Sequence, residues 1–246
     1  MRPNARARGW FPVDVRNKRT TLRASSIPHE KSEETTVIDL YTWTTPNGRK
    51  ASIMLEEIGL PYKVHPIDIS KDEQFAPAFL KIAPNNRIPA IVDNDNGLRL
   101  MESGAILIYL ADKTGKLMPK SGEGRYRVIE WLMWQMGGPG PMLGQVHHFV
   151  KYNQGKAPYA EERFSKEAQR LYKVLNTQLE GKEFICGEYS IADIISWPWV
   201  SRFEWQGVDL NQFPNVKRWY TTVAARPAVQ RGYKVPKDMG PIPMPA

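Results

Sequence analysis

Cysteine is all but missing from this sequence. Cys186 stands alone in 246 residues. That excludes an intrachain disulfide, a CxxC redox pair and a cysteine-ligated metal site, and it points to a reducing compartment such as the cytoplasm. Long apolar runs are missing too. The longest uncharged stretch, Trp131 to Val150, contains four Gly, two Pro, two Gln and two His. It is no membrane span, and it reads as buried or cleft-lining helix broken at 137-GGPGP-141. Acidic residues are scarce at the start, where residues 1–36 hold eight Lys/Arg against four Asp/Glu. Half of the formal net charge of +8 lies there, so the body is only mildly basic and calls for no nucleic-acid partner. The arm also lacks the apolar segment of a secretory signal. It reads as a disordered basic tail, with an organelle transit peptide or codons upstream of the real start as alternatives.

What is present is regular. From Val37 the pattern reads β-α-β-α-β-β-α. VIDLYT is a strand, 46–58 a helix, 62-YKVHPID-68 a second strand, and 77–82 a short helix. The runs 88-IPAIVD-93 and 98-LRLM-101 flank 94-NDNG-97 as a hairpin. Ser103 to Ala111 is a helix capped by Ser103 and ended by Gly115. This is a small α/β layer with a mixed sheet. Beyond about residue 120 the apolar spacing is helical throughout, with 190-SIAD-193 as a capping box and a last helix near 214–225. The expected division is an arm over 1–36, an α/β domain over 37–115 and an all-helical domain over 122–235.

The stretch 44-TTPNG-48 sits at the strand-to-helix junction. Thr45 suits the N-cap and Pro46 the first helical position, which leaves Asn47 and Gly48, both poor helix formers, unexplained by local rules. Glu102 and Ser103 open a second helix that follows a strand. Both N-termini therefore belong at one edge of the sheet, where free N–H groups favour an anion. Between them in sequence lies 84-PNNRIPA-90. Pro89, after a loop and at a strand start, is a candidate cis peptide. It would turn the backbone of Ile88 outward to pair with an extended peptide. The slot suits a small acidic peptide bearing an α-amino group.

Strand-TTPNG-helix, 84-PNNRIPAIVD-93, 101-MESGAILIYLA-111, 131-WLMWQMGGPGPMLGQVHHF-149 and 189-YSIADIISWPW-199 together resemble a glutathione S-transferase. The likeness is to the nu-class type, which includes glutathione-dependent disulfide-bond oxidoreductases and is similar to the yeast prion-related branch. The resemblance implies a thioredoxin-like domain followed by an all-α domain, a homodimer, and glutathione as co-substrate. Thr45 and Asn47 would stand at the glutathione sulfur, Gln74 and the Ile88 backbone would hold the peptide, and Glu102 and Ser103 the γ-glutamyl end. Arg163 would reach the glycine carboxylate from the neighbouring subunit, helped by Arg87. The long basic arm departs from the family pattern.

The activity this implies is reduction of small-molecule disulfides by glutathione. The alternatives are conjugation of glutathione to an electrophile, with Trp43, Met142 and Phe149 lining a second pocket, or a regulatory module without turnover. His147-His148 is not expected to bind metal, because adjacent helical histidines diverge and no further ligand is evident. Trp197-Pro198-Trp199 reads as core around a kink, and Cys186 as a small buried hydrophobe.

Overall fold

Along Ile38–Thr42 every second residue is buried, so both faces of this central strand, β1, need a cover. The computed structural model describes residues 37–246; the arm expected over 1–36 lies outside the described residues. β1 pairs in parallel with β2 (Tyr62–Pro66) and antiparallel with β3 (Ala90–Asp93). β3 pairs antiparallel with β4 (Arg99–Met101), giving the order β2-β1-β3-β4. One face buries Ile38, Leu40 and Ile91 against α1 (Pro46–Ile58) and α3 (Ser103–Thr114). The other face packs Tyr41 and Ala90 against Phe79 of the short α2 (Pro77–Leu80). The α/β order read from the sequence is therefore the order found, and the Ile88–Pro89 peptide is cis.

One cap differs from expectation. Glu102, not Ser103, is the N-cap of α3, and Ser103 is its first helical residue. Glu102 sits at φ 69°, ψ 113°, a backbone state a side-chain-bearing residue rarely adopts. The Ser103 hydroxyl is buried in another interaction, described below, and is not free to cap.

The rest of the chain is helical: α4 (Gly122–Gly137), α5 (Pro139–Val146), a π-helical turn (His147–Tyr152), α6 (Pro158–Gln178), α7 (Ile191–Val200), α8 (Pro214–Ala224) and α9 (Pro227–Tyr233). The expected break in the uncharged run falls at Gly138, between α4 and α5. All ten residues of α7 are buried. It starts with the anticipated capping box, in which Asp193 accepts from the Ser190 N–H at 2.9 Å. Its carboxylate also accepts from the Trp219 indole at 2.8 Å, which ties α7 to α8.

Helix α1 joins the two layers. It packs on α3, α7 and α9. Sequence patterning did not anticipate α9, yet α9 lies against the middle of α1. The Ser52 hydroxyl donates to the Gly232 carbonyl at 2.7 Å, and a Cβ on Gly232 would fall 2.6 Å from the Ile53 Cα. Arg226, just before α9, makes a two-pronged ion pair with Glu57 at 2.7 and 2.8 Å. Such overpacking against backbone costs roughly 1–3 kcal/mol. Gly232→Ala is expected to lower the urea-unfolding free energy by about 2 kcal/mol, and unchanged stability would show that α9 does not need this close approach.

Candidate functional site

A cavity of about 720 Å³ opens between the first turn of α1 and the helical layer. Thr44, Thr45, Pro46 and Asn47 form one wall, and Gln74, Asn86, Arg87 and Ile88 a second. The wall opposite carries Gly144, His147, His148, Tyr152, Trp199, Arg202 and Trp205. Of the residues singled out in the sequence, Thr45, Asn47, Gln74, Arg87 and Ile88 meet here. Glu102 and Ser103 are not among its lining residues, and Arg163 lines a different cavity, with Tyr159 and Glu162. None of Trp43, Met142 and Phe149 lines the main cavity. Met142 lies beside Arg163, and Phe149 stacks on Phe164 at 5.5 Å. The apolar wall expected from them is built instead by Tyr152, Trp199 and Trp205.

Local chemistry fixes the first wall. The Thr45 Oγ1 accepts from the Gly48 N–H at 3.1 Å. The cap uses only an acceptor site, so the hydroxyl proton remains available to donate. Gly48 is now explained: a Cβ there would stand 2.1 Å from the Trp43 carbonyl oxygen and 2.6 Å from Thr42 Oγ1. The chain doubles back so tightly before the helix that only hydrogen fits. Asn47 faces the helical layer, and its Oδ1 accepts from the Trp199 indole N–H at 2.9 Å. Gln74 is buried, and its Oε1 has no partner among the described residues.

One turn beyond Asn47, on the same face of α1, lies a residue the sequence did not mark. Lys50 is 1% exposed. Its Nζ donates to Gln135 Oε1 at 2.8 Å and lies 3.4 Å from Ser103 Oγ. Burial pulls its pKa down to about 7, against the opposing pull of Glu102's negative charge. Solvation patterns assign lysine to the surface, so only the three-dimensional contact with α4 reveals it. Two neighbouring polar links, Asn47–Trp199 and Lys50–Gln135, thus cross from α1 to the helical layer.

The second missed feature is the π-helical turn. Adjacent histidines were expected to diverge, yet His147 and His148 both line the cavity, together with Tyr152. His147 is buried between Trp199 and Trp205, with ring centroids 5.4 and 5.5 Å away. Burial, and then the charge of Arg202, push its pKa down to about 4, so it is neutral near pH 7. Among the described residues there is no group of three or more potential metal ligands. Cys186 is half-buried in a separate cavity with Pro119, Arg127 and Ser190, and burial, aided by the charge of Asp193, pushes its thiol up to about 12.

The buried ammonium makes stability depend on pH. An unfolded lysine titrates near ~10.4, and the folded one near about 7. Between these values the unfolded chain binds more protons, so stability rises with pH across that window, by up to about 1.4 kcal/mol per pH unit. Urea unfolding at about pH 6.5 and about pH 9 is expected to show a gain at the higher pH that Lys50→Met largely lacks. An equal gain in the variant would show that Lys50 is not the source.

Residues 36–112 match the family model for the glutathione S-transferase N-terminal domain, and residues 140–227 that for the C-terminal domain. The chain is 50% identical over 198 residues to the disulfide-bond oxidoreductase YfcG of Escherichia coli, covering 78% of this chain and 92% of that protein. It is 38% identical over 221 residues to the disulfide-bond oxidoreductase YghU of the same organism, covering 83% and 77%. A glutathione transferase from Burkholderia graminis, solved with two glutathione molecules bound per subunit, superposes with a TM-score of 0.77 at 46% identity and covers 85% of this chain and 92% of that one. A glutathione transferase from Pseudomonas putida, solved with one glutathione disulfide per subunit, gives 0.78 at 42% identity, covering 84% and 94%.

Proposed function

The chain belongs to the glutathione S-transferase family, and from that premise we propose that it is a glutathione-dependent thiol–disulfide oxidoreductase. The observation that carries this reading is the first turn of α1, where the Thr45 hydroxyl and the Asn47 amide face one cavity. A free thiol of the glutathione type has a pKa near ~8.5, so little thiolate exists at neutral pH. Two donors and a helix N-terminus lower that value, and each unit is worth about 1.4 kcal/mol. Gln74, with its unpartnered Oε1, and the backbone of Ile88 hold the peptide. Glu102 and Ser103 hold the γ-glutamyl end, the Glu102 carboxylate facing its ammonium and the free N–H groups that open α3 its carboxylate, and the rare backbone state of Glu102 supports this.

The electrons come from glutathione. The bound thiolate attacks one sulfur of a substrate disulfide, forming a mixed disulfide and expelling the other sulfur as a thiolate. A second glutathione attacks the mixed disulfide, releasing the second substrate thiol and glutathione disulfide. Cys186 is unsuited to replace it, since it lines another cavity and its thiol is held protonated. The relatives solved with two glutathiones or with glutathione disulfide are in keeping with this sequence of steps. The ring-lined wall of Tyr152, Trp199 and Trp205 favours a second reading, in which the same thiolate adds to a flat electrophile.

The working unit is a homodimer confined to a reducing compartment, the cytoplasm. Support for the dimer comes from large hydrophobic side chains left in water on α4 and α6: Tyr126 is 71% exposed, Met133 52% and Tyr159 78%. Tyr126 and Met133 stand seven residues apart on one face of α4, and an exposed apolar helix face of this kind marks an interface. Arg163, beside Tyr159, then reaches the site of the other subunit. Sedimentation equilibrium is expected to give twice the 28.1 kDa chain mass, and a purely monomeric protein would exclude that role for Arg163.

Reduction of a small model disulfide by glutathione, coupled to NADPH through glutathione reductase, tests the activity. Wild type and Cys186→Ser are expected to turn over alike. Asn47→Ala is expected to lose about 10- to 100-fold in kcat/KM, corresponding to one to two pKa units at the sulfur. Loss of turnover in Cys186→Ser would refute the route through glutathione alone. Conjugation of an electrophile without disulfide reduction would establish the second reading.

A further inference from the structure

We infer that Trp199 is a positioning residue whose indole N–H sets the orientation of the Asn47 carboxamide, so that the amide's N–H₂ and not its oxygen is presented to the reacting sulfur. The inference rests on the reading of Asn47 as a thiolate donor, and it adds a residue from the helical layer to that site.

Donor and acceptor types decide the orientation of the carboxamide. An indole nitrogen can only donate, whereas a carboxamide has one accepting and one donating end. Trp199 Nε1 lies 2.9 Å from Asn47 Oδ1. The oxygen is thereby committed to the indole, and the N–H₂ lies at the other end of a group that lines the cavity. A carboxamide turned the other way would aim oxygen lone pairs at a thiolate, which is repulsive.

The indole itself is held. Trp199 is 7% exposed, and its ring is tilted by 34° against His147 at 5.4 Å. Helix α5 lies alongside it: a Cβ on Gly144 would lie 3.5 Å from Trp199 Cη2 and one on Gly140 3.8 Å from Nε1, both ordinary contact distances. The Trp199 carbonyl accepts from Gln206 Nε2 at 2.9 Å. The same Gln206 nitrogen lies 3.4 Å from His147 Nε2, and its oxygen accepts from the Tyr172 hydroxyl at 2.6 Å. A chain of fixed polar contacts therefore runs from Tyr172 through Gln206 to the helix segment that carries the indole. The other charged or titratable groups on the cavity wall are Arg87, His147, His148, Tyr152 and Arg202; His147, which packs on the Trp199 ring, keeps an aromatic neighbour when Trp199 is changed to phenylalanine.

The test compares Trp199→Phe, Asn47→Ala and the double variant in the full-length protein. The readouts are kcat, KM for glutathione, and the pH dependence of the ultraviolet thiolate absorbance of bound glutathione. Trp199→Phe is expected to raise the apparent thiol pKa, lower kcat about 5- to 10-fold and leave KM within about twofold, as for loss of one fixed hydrogen bond. Added to Asn47→Ala, it is expected to cause no further loss. Wild-type kcat and thiol pKa in Trp199→Phe, with Asn47→Ala impaired, overturn the positioning role, as do losses that multiply in the double variant. An unimpaired Asn47→Ala overturns the thiolate-site reading itself. Asn47→Asp covers the case in which Trp199→Phe does not fold. It keeps an acceptor for the indole and removes the donor, so it is expected to be at least as impaired as Asn47→Ala. Wild-type turnover in Asn47→Asp overturns the proposal.

Discussion

An ammonium group taken out of water must be met by acceptors, because an unpaired buried charge destabilises the fold severely. Lys50 meets that demand with Gln135 of α4 and the Ser103 hydroxyl at the start of α3. These partners come from both layers, so α1, α3 and α4 have one mutual arrangement in which the charge is satisfied. Arg49, the next residue back, is buried against α9, with its guanidinium 3.5 Å from the Tyr233 ring centroid and its Nε donating to the Tyr233 carbonyl. Two successive cations on α1 thus hold two different helices. The first turn of α1, which carries Thr45 and Asn47, has little freedom once these links form.

Much of this was legible in the sequence wherever short-range rules decide. The cap at Thr45, the proline at the first helical position, the left-handed stop at Gly59 and the Ser190–Asp193 box depend on residues within one turn of each other. The hairpin over 90–101 is likewise set by its turn. The α/β order and the switch to helices follow from apolar period. The resemblance named the candidate site residues, and five of them share one cavity.

What the sequence withheld depends on contacts between distant segments. Nothing local distinguishes Lys50 from a solvated lysine, or Trp199 from the core tryptophan two residues earlier. Trp197 spends its N–H on the Tyr220 carbonyl inside the core, whereas Trp199 directs its own to Asn47 across the layer boundary. Ser103 read as a cap because serine caps well. Its hydroxyl is instead engaged by Lys50 and Met136, and Glu102 takes the cap position in a rare backbone state. Helix α9 was missed because its amphipathic signal spans only two turns.

The π-helical turn at His147–Tyr152 has one more consequence. A π turn is an α-helix with a residue too many, and each residue of an α-helix advances about 100°. Here the surplus residue lets His147, His148 and Tyr152 share one wall. The register of that wall is therefore encoded by the count of residues between α5 and α6 as much as by their identity. A lineage that loses the Val150 codon would keep every aromatic and basic side chain of this turn, yet swing those downstream of it away from the cavity. Length change at this point offers a single-step route to a differently shaped second-substrate wall, with the thiolate end of the site untouched.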